Sequence, residues 1–516
     1  MSGTGGRPPR LGDLPKAALA LAPDAPAVID GDLRLSHAAL DRLVDRFASD
    51  LIRRLGPADR RHPGRAGPRV GLCALNGAAH VVAYLAILRA GLVWVPVNPR
   101  NGAIANADLC RRAGLDLLLV EEACRSAAGR VTVPTLAIDA ALDGGADAGG
   151  GGPWPLEDAA EIAAIKFTGG STGVPKGVLQ PVRAMRATID SLRALYRFDT
   201  GTVFLAVAPL THGASHFVLP VLAGGGALML LREPERPAIL AALRDGGVTM
   251  TFMPPTLIHL LLREGGFGPA DFPRLRDLIY SAAPMPPALI AEAIARFGPR
   301  LSTLYGQTEA PMTITALSAG EMTDPALARG VGRACANVRV AVRRADGRLV
   351  ERDGEGEIMV SGPLLMAGYL DAPAETAAVL ADGWLATGDL GAIDAAGHLR
   401  ILGRSKEMII SGGYNIYPAE VEAALADHPG VRESCAFGVA DPLWGERLEI
   451  AVVPRDEGED PAILAAALKA HVRERLGPVK APKAVHIVPA LPRNAVGKVT
   501  RGAVAAMVAD QRAGAA

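Results

Sequence analysis

The sequence has no excess of charge: 54 Lys+Arg stand against 54 Asp+Glu in 516 residues. A balanced chain offers no general attraction to nucleic acid or to an anionic membrane, so any polyanion it takes must be held by a local site. Paired cysteines are lacking too. The five present, Cys73, Cys110, Cys124, Cys335 and Cys435, lie far apart with no CxxC among them. That argues against a disulfide framework or a zinc site and fits a reducing, cytoplasmic compartment. No HExxH motif occurs among the ten histidines. Long apolar runs are missing at the start, where Ala17–Ala22 between Pro15 and Pro23 is too short for a signal core or a membrane span.

What is present is ordinary for a protein with a large buried core: 49% hydrophobic and 21% charged residues. At ~150 residues per domain the length suggests about three domains. Leu40–Leu55 carries apolar residues at helical spacing, and Arg69–Leu75, His80–Ala90 and Trp94–Val97 read as strand, helix, strand. This is the βαβ pattern of an α/β sheet. Asp143–Gly152 (DGGADAGGGG) is low in complexity and reads as a surface loop, with a strand resuming over Glu161–Phe167. Val338–Arg343 and Gly356–Val360 predict strands of a smaller β-rich portion. Beyond Arg404 a short α+β unit is expected, with helices Pro418–Leu425 and Pro461–Leu476 and strands near Ser434–Val439 and Glu449–Val453. The predicted class is α/β, with a large N-terminal part (1–403) of several subdomains and a small, mobile α+β C-terminal part (404–516).

The segment Phe167-Thr-Gly-Gly-Ser-Thr-Gly-Val-Pro-Lys-Gly-Val178 follows a predicted strand. Its glycines let the backbone approach a polyanion, Thr168, Ser171 and Thr172 add hydroxyls, and Lys176 adds a positive charge. It is not a GxxxxGK[ST] loop, and on glycine content alone a flexible surface turn explains it equally well. The motifs along the rest of the chain decide between the two. The segment resembles the [YF]TSGTTGxPKG signature of the adenylate-forming superfamily, which comprises acyl-CoA synthetases, peptide-synthetase adenylation domains and firefly luciferase. Gly169 stands where that family usually has serine, and Ser171 where it has threonine. The resemblance continues in family order through Leu88–Pro99, Pro209–Gly213, Ser281–Pro284, Tyr305-Gly-Gln-Thr-Glu309, Trp384–Asp389, Gly403–Glu420 and Pro492–Lys498. It covers most of the chain and is closest to the acyl-CoA synthetases.

The resemblance implies activation of a carboxylic acid with ATP and Mg²⁺, giving an acyl adenylate and pyrophosphate, followed by acyl transfer to the thiol of coenzyme A. It implies that Thr168, Gly169, Gly170, Ser171, Thr172, Gly173 and Lys176 cradle the phosphates. Glu309 would hold the metal and Thr308 the α-phosphate. Tyr305 and Gly306, with Ala282, Ala283 and Pro284, would border the adenine; Asp389 and Arg404 would bind the ribose. Lys498 would bridge the acid carboxylate and the α-phosphate. Lys406 would be the hinge whose rotation exchanges Lys498 for Gly412 and Gly413 beside the thiol channel, with Glu446 nearby.

The acyl pocket is expected at His212, Gly213, Ala214, Gln307 and Ala310, although His212 reads equally well as a core histidine. No Asp stands beside His212 to meet a substrate ammonium, which argues against an amino acid. Small residues suggest a roomy pocket, and the absence of charge after Glu309 favours a mainly apolar fatty or aromatic acid over a dicarboxylate. With no carrier domain after Ala516, free coenzyme A is the expected thiol. Two alternatives stay open: a stand-alone enzyme that loads a carrier protein, and an inactive relative acting as a scaffold. A homodimer is compatible with the sequence; nucleic acid and a membrane span are not expected.

Overall fold

The computed structural model describes residues 9–55, 67–142, 161–168, 175–404, 407–411, 414–441, 445–456, 458, 460–493 and 498–515. Two large sheets share one core. In the first, of seven strands, Ile162–Thr168, Val93–Val97, Arg69–Cys73, Leu117–Val120 and Thr135–Ala137 run parallel in that spatial order. Lys176–Pro181 folds back antiparallel on Ile162–Thr168. In the second, of nine strands, a parallel block runs from Leu301–Tyr305 through Asp277–Tyr280, Met250–Met253, Val203–Ala206 and Ala227–Leu230 to Pro26–Asp30.

The helix Ala78–Arg89 shows why the sheets belong together. Every residue but Ala79 is buried, as an all-round apolar helix must be. Its one charged residue, Arg89, is 1% exposed and is met by Asp13 at 3.1 Å, Asp41 at 2.8 Å and Asp45 at 2.6 Å. Two of those carboxylates come from the helix His37–Leu55, whose Leu40, Val44, Phe47, Ala48, Leu51 and Leu55 turn inward at the predicted helical spacing. The low-complexity stretch 143–152 lies outside the described residues.

A third, antiparallel sheet contains Arg339–Arg343, Gly354–Ser361, Trp384–Ile393 and Leu399–Arg404. It is the smaller β-rich portion that the sequence predicts. Leu399–Arg404 is its last strand, and Ile409–Ser411 opens a fourth sheet with Tyr414–Ile416, Gly445–Pro454, Val431–Asp441 and Ala484–Ile487. Helices Pro418–Ala426, Pro461–Leu476 and Arg501–Ala515 accompany that sheet. Arg501 pins the last of them by bonding Ala436 O at 2.6 Å and Glu407 at 3.0 Å. No helix among the described residues is long and apolar enough to cross a membrane.

Candidate active site

The motifs gather where the parallel strands end. Thr168 closes Ile162–Thr168, Ser281–Pro284 follows Asp277–Tyr280, Gly306–Glu309 follows Leu301–Tyr305, and Pro209–Gly213 follows Val203–Ala206. The carboxyl ends of strands in open α/β sheets are where ligands bind. Two backbone features mark this rim. Ala282 holds φ at +76°, a left-handed conformation that costs free energy in a residue with a side chain. At Gly306 a Cβ would lie 2.4 Å from the Met312 nitrogen, so only glycine lets the two turns meet.

Asp389 is the electrostatic centre. It is 5% exposed and lies opposite Arg404 in strand register. Arg404 Nε donates to its Oδ1 at 2.8 Å, while the Tyr305 hydroxyl and Gln307 Nε2 both donate to Oδ2 at 2.6 Å. Burial, then the adjacent Asp389 charge, pushes the Tyr305 phenol well above its ordinary value. Gln307, which the sequence assigns to the acyl pocket, is thus tied to Asp389 and also to Thr387 O at 3.0 Å. From the fourth sheet's side, Lys498 comes within electrostatic reach of Asp389 and Arg404. Its side chain is solvent-exposed, yet lost hydration, then Arg404, lowers its proton affinity, with Asp389 opposing.

A second cluster surrounds Glu309. The Tyr369 hydroxyl donates to Glu309 Oε1 at 2.9 Å, and Lys176 Nζ stands 4.9 Å from the centre of the Tyr369 ring. Gln180, fully buried, holds Thr308 O at 2.8 Å. Among the described residues no group of three or more His, Cys, Asp or Glu side chains converges to hold a metal. Glu309 therefore offers one carboxylate with a neighbouring hydroxyl, which suits a hard cation that takes its remaining oxygens from phosphate and water.

His212 sits at the third corner, exposed, with Nδ1 3.0 Å from Thr211 Oγ1. Desolvation and the flanking Lys166 and Lys498 hold its pKa down to about 4. The small residues around it do not measure a pocket. A Cβ on Gly213 would lie 2.9 Å from the Phe252 ring, and Ala214 and Ala310 are fully buried in the core. Their size is used by packing, so the inference of a roomy pocket loses its basis. Glu446 lies in the strand Gly445–Pro454, opposite Ala440. Gly169, Gly170, Ser171, Thr172, Gly173, Lys406, Gly412 and Gly413 lie outside the described residues.

Sequence reasoning passed over Tyr369, Gln180, Lys166 and His216. Tyr369 and Gln180 sit at spacings that mean nothing until the sheets form. Lys166 did carry a signal, a lone charge in the apolar strand Ile162–Thr168.

The AMP-binding enzyme family matches residues 16–370, and the AMP-binding enzyme C-terminal domain matches residues 420–498. The medium/long-chain-fatty-acid–CoA ligase FadD8 of Mycobacterium tuberculosis is 32% identical across 97% of this chain and 90% of its own length. Feruloyl-CoA synthase of an Amycolatopsis species is 34% identical across 96% of this chain and 98% of its own. The structure of Bacillus subtilis O-succinylbenzoate coenzyme A synthetase (MenE) with ATP and magnesium superimposes with a TM-score of 0.82 at 26% identity, covering 96% of this chain and 99% of that one. The chain belongs to the AMP-binding enzyme family, and within it to the AMP-forming acid–CoA ligases.

Proposed function

We propose that this ligase uses ATP, Mg²⁺ and free coenzyme A to activate a carboxylic acid that is mainly apolar, fatty or aromatic, and that the site described above performs both half-reactions. The observation that carries this is the approach of Lys498, from the C-terminal unit, to Asp389, Arg404 and His212. An acid carboxylate attacking a triphosphate brings two anions together, so catalysis must rest on positioning and on cations placed where charge builds up. Lys498 would bridge the attacking carboxylate and the α-phosphate. Asp389, already shaped to accept hydrogen bonds, would exchange some of its present donors for ribose hydroxyls, with Arg404 holding its other oxygen. Tyr305 and the Ala282–Pro284 turn would border the base. Lys176 and Thr168 would receive the phosphates with the loop between them.

Glu309, oriented by Tyr369, and the neighbouring Thr308 would hold Mg²⁺ and the α-phosphate. When bound, the metal would offset the charge of the departing pyrophosphate. His212, neutral at pH 7, would flank the reacting carbonyl without adding a third cation. For the second half-reaction we propose that the unit beyond Arg404 turns about Lys406, withdrawing Lys498 and presenting Gly412, Gly413 and Glu446 to the thiol. The fatty-acyl and feruloyl specificities in the names of the two relatives bracket the proposed acid class. All five cysteines are buried and free, which supports a reducing, cytoplasmic setting.

The test is pyrophosphate release with ATP and Mg²⁺ across a panel of acids, with and without coenzyme A. The expected result is release that depends on one acid class and turns over only with coenzyme A. Release limited to a single turnover until a carrier protein is added would overturn the free-thiol assignment. No acid-dependent release would overturn the ligase reading.

A further inference from the structure

Lys166 is a buried amine whose ammonium form has no counter-charge among the described residues. It is 8% exposed, and its Nζ lies 3.3 Å from His216 Nε2, 3.5 Å from Ser215 Oγ and 5.1 Å from the centre of the Trp94 ring. None of these is anionic, and no carboxylate of the described residues pairs with it. The hydrogen bonds themselves are in order. His216 Nδ1 donates to Gly213 O at 3.0 Å, leaving Nε2 to accept, and the Ser215 hydroxyl donates to His212 O at 2.7 Å, leaving its lone pairs to accept. What is missing is negative charge.

The neighbourhood sharpens the deficit. Ser215 and His216 open the helix Ser215–Ala223, so Lys166 stands at the positive end of a helix dipole, a place that favours anions and penalises cations. The first helical N–H groups already close on His212, Gly213 and Ala214 carbonyls at 3.1 to 3.2 Å. An incoming anion would therefore be recognised by the Lys166 side chain rather than by free backbone donors. The location adjoins the proposed acyl site. The turn Thr211–Gly213 leads directly into this helix, Phe252 and Met312 wall Gly213, and His212 feels both Lys166 and Lys498. His212 thus lies in the field of both lysines, and Lys166 bonds the two residues that open the helix after its turn.

We propose that the acid activated here carries a second oxygen acceptor at the end remote from its reacting carboxylate, and that Lys166, set by Ser215 and His216, receives it. The inference rests on the ligase reading above and refines its acid class: an apolar chain or ring with a polar far end. That oxygen belongs to either of two groups of one chemistry, a terminal carboxylate or a phenol.

The experiment measures acid-dependent pyrophosphate release in two matched pairs, octanoate against suberate and cinnamate against 4-hydroxycinnamate, for the wild-type chain and Lys166→Met. The expected result is a preference of at least tenfold in kcat/KM for the oxygen-bearing member of one pair, and the pair that shows it identifies the group. In Lys166→Met that ratio should fall to one or invert. A Lys166→Gln variant, which keeps a donor without the charge, should lose the preference for suberate more than that for 4-hydroxycinnamate. A wild-type enzyme that prefers the plain acid in both pairs, uses neither pair while activating other plain acids, or shows a ratio that Lys166→Met leaves unchanged overturns the proposal. Absence of release with every acid overturns the ligase reading instead, and this inference with it.

Discussion

Replacing Lys166 with methionine should stabilise the fold, by an amount that depends on pH in a defined way. A lysine ordinarily titrates near 10.5, and burial lowers Lys166 to about 7. Each tenfold change in proton affinity corresponds to ~1.4 kcal/mol, so the folded chain at neutral pH carries a penalty with a ceiling of about 4–5 kcal/mol. Relaxation around the ammonium and its contact with the Trp94 face reduce this, and exchanging buried charge for well-packed apolar groups commonly yields about 1–4 kcal/mol. Between pH 7 and 10.5 the unfolded chain holds a proton on this lysine that the folded chain does not, so wild-type stability gains from a rise in pH across that window. Below pH 7 both states are protonated and the penalty is constant. The groups facing Nζ are Trp94 from the strand Val93–Val97 and Ser215 and His216 from the helix Ser215–Ala223, with His212 within electrostatic reach. His216 is held at about 3 and His212 at about 4, so neither titrates in the window. Denaturant midpoints of the two proteins at pH 6, 7, 8, 9 and 9.5 give the difference, in which titrations elsewhere cancel. The advantage of Lys166→Met should be largest and level at pH 6 and shrink steadily above pH 7. A variant less stable than wild type at pH 6, or an advantage that does not change between pH 7 and 9.5, refutes the reasoning.

Three further outcomes are expected from the site. Asp389→Asn presents one acceptor and one donor to the three groups that now donate to the carboxylate, so a buried N–H or O–H is left facing a donor; folding stability should fall by roughly 1–3 kcal/mol and ATP-dependent pyrophosphate release by about 30- to 100-fold. Unchanged release would remove Asp389 from the nucleotide site. Lys498→Ala should lower adenylate formation by at least ~10²-fold, the scale of losing one pre-placed electrostatic group, while thioester formation from a supplied acyl adenylate stays within about threefold; equal losses in both steps would contradict a lysine that serves one conformer. Tyr369→Phe deletes a hydrogen bond to a carboxylate, ~1.5–3 kcal/mol if fully expressed, and should raise the Mg²⁺ concentration for half-maximal release by about five- to tenfold. An unaltered Mg²⁺ dependence would show that Glu309 needs no such partner.

The parts of this molecule visible in the sequence are those written in short, contiguous code. Pro461–Leu476 begins and ends where predicted, because Asp460 caps its first turn through Ala462 N at 2.8 Å and Gly477 follows with φ of +84°. The predicted strand Arg69–Leu75 is Arg69–Cys73 in the structure, a difference at the end where the chain leaves the sheet. The motifs around Tyr305, Asp389 and Lys498 announced a chemistry, and folding places all three in one neighbourhood. Residue size was misleading. Gly213 and Gly306 are small because Phe252 and Met312 come too close for a side chain, a long-range fact that no local window contains. Tyr369 and Gln180 were invisible for the same reason. Each acts through a residue far along the chain, Glu309 and Thr308 respectively.

A chain with no net charge must create its attraction for a polyanion by arrangement, and the arrangement here is graded. Lys176 lies over a tyrosine ring beside Glu309, and Arg404 is satisfied by Asp389. Lys498 is exposed and balanced between Arg404 and Asp389. Of these four cations Lys166 is the enclosed one, and no carboxylate of the described residues pairs with it. In a medium of low effective dielectric the least compensated cation is the most costly to bury and exerts the strongest pull on an arriving anion. His212, kept neutral first by lost hydration and then by Lys166 and Lys498, adds no third cation to these two. The proposed nucleotide end of the site is thus furnished with paired charges that a ligand would rearrange, and the proposed acyl end with a charge that a ligand would complete. The names of the two relatives differ in the acid, a fatty acid in one and ferulate in the other. An unmet charge at the proposed acyl end is where this chain would discriminate, because an acid that supplies the missing oxygen would relieve a penalty that a plain acid leaves in place.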